Sequence, residues 1–223
     1  MTVAPASDRL SQVSVNPWLY RLLLPIHRLF LHLYFRKIEI EGKENLPLHG
    51  PVVLAPKHTS RWDPIVLALL SREPLWFMTN ANQFGGIQGW FIRRLGSLPI
   101  DLSHPSISSL RCAIALLQAG RKLVLFPEGG IVRNQTLRQL KPGVARLVLQ
   151  AEKSATDPLS VPVIPIWLDY KPAPVFGASI RIYIHPPLQL EEHRRETDKE
   201  TAKALTQALQ TALLEDGRLG DEC

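Results

Sequence analysis

An α/β fold built on one mixed, largely parallel central sheet flanked by helices is what this 223-residue sequence predicts. Three observations lead there. From residue 37 onward, short apolar runs alternate with stretches of helical spacing, the pattern of strand–helix units rather than of a bundle or sandwich. A hydrophobic content of 45% with 21% charged residues is enough for one sizeable core. The first 36 residues follow another pattern. The expected division is therefore a tail and amphipathic helix over residues 1–36 and one α/β domain over residues 37–223.

The N-terminal stretch NPWLYRLLLPIHRLFLHLYFRKIEI is rich in leucine and aromatics. Arg21, His27, Arg28, His32 and Arg36 interrupt it too often for a membrane span, which needs about 20 mostly apolar residues. No small-residue cleavage site follows an apolar core, so it is not a signal peptide. At about 100° per residue, Arg21, Arg28, His32 and Arg36 share one stripe, and Leu22, Leu23, Ile26, Leu29, Phe30 and Leu33 take the remaining arc. A helix or helix pair lying in a membrane interface has this pattern, with Trp18, Tyr20 and Tyr34 at headgroup depth. A helix packed on the protein's own core is the other reading, and the basic stripe favours the first. Pro25 marks a kink or division.

Strands follow near Ile38 to Glu41, Val52 to Ala55, Leu75 to Met78, Leu123 to Phe126, Val163 to Leu168 and Ile180 to Ile184, each a short run of branched or apolar residues. Between them helices are expected at Pro64 to Leu70, Gln88 to Leu95, Ser106 to Ala119 and Gly143 to Gln150. In the last stretch Ala202, Leu205, Leu209, Ala212 and Leu213 recur at helical spacing before Gly217, which predicts an amphipathic closing helix. EKSATDPLSVP and KPAPVFGAS read as loops.

Composition narrows the function. Cys112 and Cys223 cannot make a disulfide framework, so the chain reads as intracellular. A net charge of +6 favours anionic partners, whether nucleic acid, acidic lipid headgroups or an acidic carrier protein. No nucleic-acid motif is present, and the N-terminal cations are interleaved with leucines, which excludes nucleic acid as the expected partner. G-x-S-x-G, the phosphate loop and G-x-G-x-x-G are missing, as are metal-site spacings, so neither a metal nor another cofactor is expected.

His58 and Asp63, in H-x-x-x-x-D, remain. Alone the spacing is weak: at about one aspartate in twenty, the seven histidines yield roughly one chance match in three. His193 and Asp198 share it in a charged stretch, where a helix would hold them about 140° apart. The first pair instead follows the apolar run VVLA and precedes Pro64, so a turn can bring both side chains together. Asp63 before Pro64 is also what a helix cap looks like, and the two roles are compatible. A second clue is RKLVLFPEGGIVRN, where a strand ends in Phe126, Pro127, Glu128 and Gly129 and brings a carboxylate to the edge expected for His58.

Their order and surroundings resemble the glycerolipid O-acyltransferase family, whose bacterial representatives make phosphatidic acid from lysophosphatidic acid. The likeness runs from about Ile38 to Pro165. IEGKENLPLHGPVVLAPKHTSRWDP is similar to the first block of that family, FPEGG to the third, and VPVIPIWL to the fourth, whose proline, here Pro165, lines the site. The resemblance implies His58 as general base toward a lipid hydroxyl, with Asp63 orienting it and no acyl-enzyme. It places Ser60, Arg61, Phe126, Pro127, Glu128 and Gly129 on the substrate side, with backbone N–H groups near the 126–130 turn as oxyanion donors. The implied donor is acyl-coenzyme A or acyl carrier protein, the implied acceptor 1-acylglycerol-3-phosphate, and the implied location the cytoplasmic face of a membrane, held peripherally.

The likeness breaks at two places. In LGSLPIDL, Asp101 is followed by Leu102, and FPEGG continues to Ile131, where the family usually has arginines that hold the acceptor phosphate. Arg93, Arg94 and Arg133 are the candidates to replace them, Arg133 first, and Lys57 stands where an asparagine is common. An acceptor without a phosphate monoester, or a non-catalytic membrane-associated module, are the alternatives.

Overall fold

The computed structural model describes residues 15–100, 106–133 and 137–219. Seven strands form one sheet in the order β1-β7-β6-β2-β5-β3-β4. They are β1 (Lys37–Glu41), β2 (Val52–Pro56), β3 (Trp76–Asn80), β4 (Ser97–Ile100), β5 (Lys122–Val124), β6 (Val163–Lys171) and β7 (Ser179–Ile184). Every pairing is parallel except β6 with β7, as expected for a mixed, largely parallel sheet.

Helices cover both faces. They are α1 (Pro17–Tyr34), α2 (Asp63–Leu67), α3 (Gly86–Arg94), α4 (Ile107–Gln118), α5 (Gly143–Lys153) and α6 (Asp198–Leu219). Successive residues of β2 point to opposite faces: Val53 and Ala55 pack under α4, α5 and α6, while Val52 and Leu54 pack under α1 and α2. The central strands are therefore apolar at consecutive positions, as in a sheet covered on both sides. The closing helix starts with a reciprocal cap, in which Thr197 Oγ1 accepts from the Glu200 N–H and Glu200 Oε2 accepts from the Thr197 N–H. It continues past Gly217, the expected end.

Strand β4 was not among the expected elements. It carries Pro99, which cannot donate to a ladder, and it lies at the sheet edge where that donor is dispensable. The expected helix over residues 64–70 is a short α-helix followed by a 3₁₀ turn at Ala68–Leu70. β5 ends at Val124, two residues before the expected limit.

Helix α1 runs unbroken through Pro25, and Asn16 Oδ1 caps its first turn by accepting from the Trp18 and Leu19 N–H groups. Its end is docked, with Leu31 and Phe35 buried in the core. A second stripe, Trp18, Leu22, Ile26, Leu29 and Leu33, is 56–79% exposed. Phe30 and Tyr34 join a cluster of rings with Trp62 and Phe176. No described helix is long and apolar enough to cross a membrane.

Candidate active site

His58 stands two residues beyond the C-terminal end of β2, where a parallel sheet opens toward ligands. Its Nδ1 lies 2.9 Å from Asp63 Oδ2, and its ring stacks on Phe126, which follows the neighbouring strand β5, with centroids 3.9 Å apart. Asp63 is fully buried and collects four donors. Oδ2 accepts from His58 Nδ1–H, from the Thr59 N–H at 2.7 Å and from the Ser60 N–H at 2.8 Å; Oδ1 accepts from the Tyr170 hydroxyl at 2.8 Å. The carboxylate thus turns back on the loop that precedes it instead of capping α2. With Nδ1–H given to Asp63, Nε2 is the acceptor nitrogen.

Tyr170 was not foreseen. Its hydroxyl is kept protonated by burial and by the Asp63 carboxylate beside it, so it can only donate there. The available signal was a tyrosine near the end of a strand that begins as the apolar run VIPIWL, because a phenol buried there needs a partner.

Glu128 is also buried, 1% exposed, and braces the site from behind: Oε2 accepts from the His58 N–H at 2.9 Å and Oε1 from the Arg138 N–H at 3.1 Å. Gly129 permits the turn, with φ of +71° and the Lys141 ammonium packed where a Cβ would stand. The Gly129 N–H is taken by the Phe126 carbonyl at 3.1 Å. Pro127 is buried, and Pro165 lies in β6 paired in register with Ala55. Ser60 Oγ accepts from the Trp62 N–H, which shapes the loop.

A cavity of about 930 Å³ opens beside His58. Phe126, Gly129, Gly130 and Ile131 form one part of its wall, and the inner side of α1, with Leu23, Leu24 and Phe30, another. Among the described residues Arg61 is the one arginine or lysine that lines it, and no aspartate or glutamate does. His27 lines it too, with Nε2 2.9 Å from the Ile65 carbonyl oxygen, and burial lowers its proton affinity, so it adds no charge at neutral pH. Glu128, Pro127, Ser60 and Pro165 lie outside the wall.

The three expected replacement arginines are not brought to this wall. Arg93 stacks over Phe84, Arg94 stacks over Trp90 and donates to its carbonyl, and Arg133 is exposed. Asp101 and Leu102 lie outside the described residues. Of the other pair with this spacing, His193 and Asp198, the aspartate is engaged by Lys153 at 2.8 Å. Among the described residues no group of three potential metal ligands occurs.

A family model described as Acyltransferase matches residues 37–169. Over 186 residues the chain is 24% identical to the 1-acyl-sn-glycerol-3-phosphate acyltransferase of Bacillus subtilis, covering 80% of this chain and 87% of that protein. It is 27% identical over 165 residues to the chloroplastic 1-acyl-sn-glycerol-3-phosphate acyltransferase of Arabidopsis thaliana, which is 69% of this chain and 44% of that protein, so the match spans less than half of that relative. The crystal structure of the 1-acyl-sn-glycerophosphate acyltransferase from Thermotoga maritima has the same fold, with a TM-score of 0.66 over 88% of this chain and 78% of that one at 19% identity.

Proposed function

Because the chain belongs to the acyltransferase family, we propose that it transfers a fatty acyl group from an acyl thioester to the hydroxyl of a lysophospholipid, 1-acylglycerol-3-phosphate foremost, giving phosphatidic acid. The observation that carries this reading is His58, oriented by a buried carboxylate at the wall of a large apolar cavity. The names of the Bacillus and Arabidopsis relatives support the acceptor.

In this reading His58 Nε2 takes the proton of the acceptor hydroxyl as its oxygen attacks the thioester carbonyl carbon. Asp63 holds the tautomer and stabilises the imidazolium. The tetrahedral intermediate collapses with cleavage of the carbon–sulfur bond, and the leaving thiolate takes the proton back from Nε2. The donor is acyl-coenzyme A or acyl carrier protein; both are anionic and suit the net charge of +6. The exposed apolar stripe of α1, flanked by Arg21, Arg28, His32 and Arg36, supports peripheral attachment to an anionic membrane surface on the cytoplasmic face.

Arg61 is the residue we assign to the acceptor phosphate. It lines the cavity, follows His58 by three residues and makes no ion pair or side-chain hydrogen bond among the described residues. An acceptor without a phosphate is favoured by one observation, the apolar Ile131 in the same wall. Rates with lysophosphatidic acid and monoacylglycerol separate the two. The expected result is preference for the phosphate, with the Arg61→Gln variant raising KM for lysophosphatidic acid about 10- to 100-fold, the worth of a charged hydrogen bond, and leaving monoacylglycerol unaffected. Preference for monoacylglycerol overturns the acceptor, and no transfer to either makes the chain a binding module.

A further inference from the structure

Lys57 is a fully buried lysine immediately before His58, and the acyl-transfer steps above do not use it. Its backbone N–H continues the β2–β6 ladder by donating to the Ile166 carbonyl at 3.0 Å, which directs its side chain inward over the Trp167 ring, 5.4 Å from the centroid. Nζ donates to the Val132 carbonyl at 3.3 Å. The N–H of the same Val132 donates to the His58 carbonyl at 2.7 Å. The strip over residues 131–133, whose Ile131 walls the cavity, is therefore held at one residue by both its donor and its acceptor. Asp63 and Glu128, both buried and both bonded to His58, act on the ammonium through space.

We propose that Lys57 is a positioning residue of the acyl-transfer site: its buried ammonium clasps the 131–133 strip to the end of β2 and offsets the two carboxylates that hold His58. An isolated buried ammonium is expensive, and the two carboxylates are what make it tolerable. In return, the clasp fixes the wall on which the reacting groups are aligned, where a displacement of about 1 Å is costly. A neutral amine still fits but no longer balances Asp63 and Glu128 and holds the carbonyl less tightly.

Among the described residues, the charged groups that act on Lys57 include Glu128 and Asp63, with the Tyr170 hydroxyl behind Asp63 and the His58 imidazole adjoining; β6 contributes the uncharged Trp167. Burial lowers the proton affinity of Lys57 below that of an ordinary lysine, despite the opposing pull of Glu128 and Asp63. The charge of the clasp is thus lost as pH rises, earlier than for an exposed lysine.

The inference rests on the acyl-transfer reading, and its test has one arm independent of it. Amide exchange at 131–133, measured without substrate, is expected to quicken about tenfold or more in the Lys57→Met variant. With turnover measured on whichever lipid hydroxyl the wild type acylates, Lys57→Met is expected to lose about 10- to 100-fold in kcat/KM. In Lys57→Arg, which keeps the charge and does not titrate, kcat/KM should be largely rescued and its alkaline fall should move to higher pH. A folded Lys57→Met with wild-type exchange and kcat/KM overturns the proposal. So does an alkaline limb that coincides in Lys57→Arg and wild type, and this decides the matter alone if Lys57→Met does not fold. Failure of every acceptor would sink the enzymatic reading while leaving the exchange result to stand on its own.

Discussion

Replacing Asp63 by Asn isolates the charge at the centre of the site. Among the described residues, Asp63 Oδ2 accepts three N–H donors and Oδ1 accepts only the Tyr170 hydroxyl. An asparagine can place its oxygen at the Oδ2 position and donate from Nδ2 to the Tyr170 oxygen, which is free to accept once the hydroxyl rotates. The tautomer and orientation of His58 then survive, and the loss is the negative charge beside the imidazolium that the proposed mechanism forms during attack. With charge centres about 4.5 Å apart and an effective dielectric of about 20, that charge contributes about 4 kcal/mol. The amide dipole retains part of this, leaving a loss of about 3 kcal/mol, or about a hundredfold in kcat. KM should hold, because Asp63 is fully buried and forms no part of the cavity wall. Initial rates of thiol release at saturating acyl thioester, with melting curves to confirm the fold, measure both. A folded Asp63→Asn variant within fivefold of wild type would refute the reasoning, since His58 would then be turning over without its carboxylate.

Tyr170→Phe removes one donor from the buried Asp63 and should lower stability by about 1–3 kcal/mol, read from denaturant midpoints, with a smaller loss of kcat than Asp63→Asn; unchanged stability would mean the hydroxyl bond carries no weight. Leu22→Glu combined with Leu29→Glu places charges on the exposed stripe of α1, where each leucine would bury about 100 Å² worth about 2.5 kcal/mol. Sedimentation with anionic vesicles should show binding reduced about a thousandfold or more, and retained binding would locate the membrane contact elsewhere.

The sheet was legible because both of its faces are covered: strands such as VVLA and VIPIWL are apolar at every position, and short runs of this kind between helical spacings indicate little else. β4 escaped because its four residues include Pro99, tolerable only at an edge, and edge position is a property of the assembled sheet. The pairing of His58 with Asp63 could be read locally, since five residues and a turn suffice, and the same spacing at His193 and Asp198 shows why the surrounding strand had to be part of the argument. Tyr170 lies 107 residues from Asp63 and meets it only through the β2–β6 pairing. The cation of the cavity was harder still. Proximity along the chain favoured Arg133, yet that side chain is exposed, and Arg61, inside the first block, is the arginine that lines the wall among the described residues.

Most direct for the central claim is acyl transfer by wild type and His58→Ala in the presence of anionic vesicles, with a long-chain acyl thioester, lysophosphatidic acid and mass identification of the products. The account predicts phosphatidic acid from the wild type and its loss in a His58→Ala variant that keeps the wild-type melting curve. Phosphatidic acid formed at an undiminished rate by His58→Ala would contradict it, because the imidazole that Asp63 orients would then not be the base.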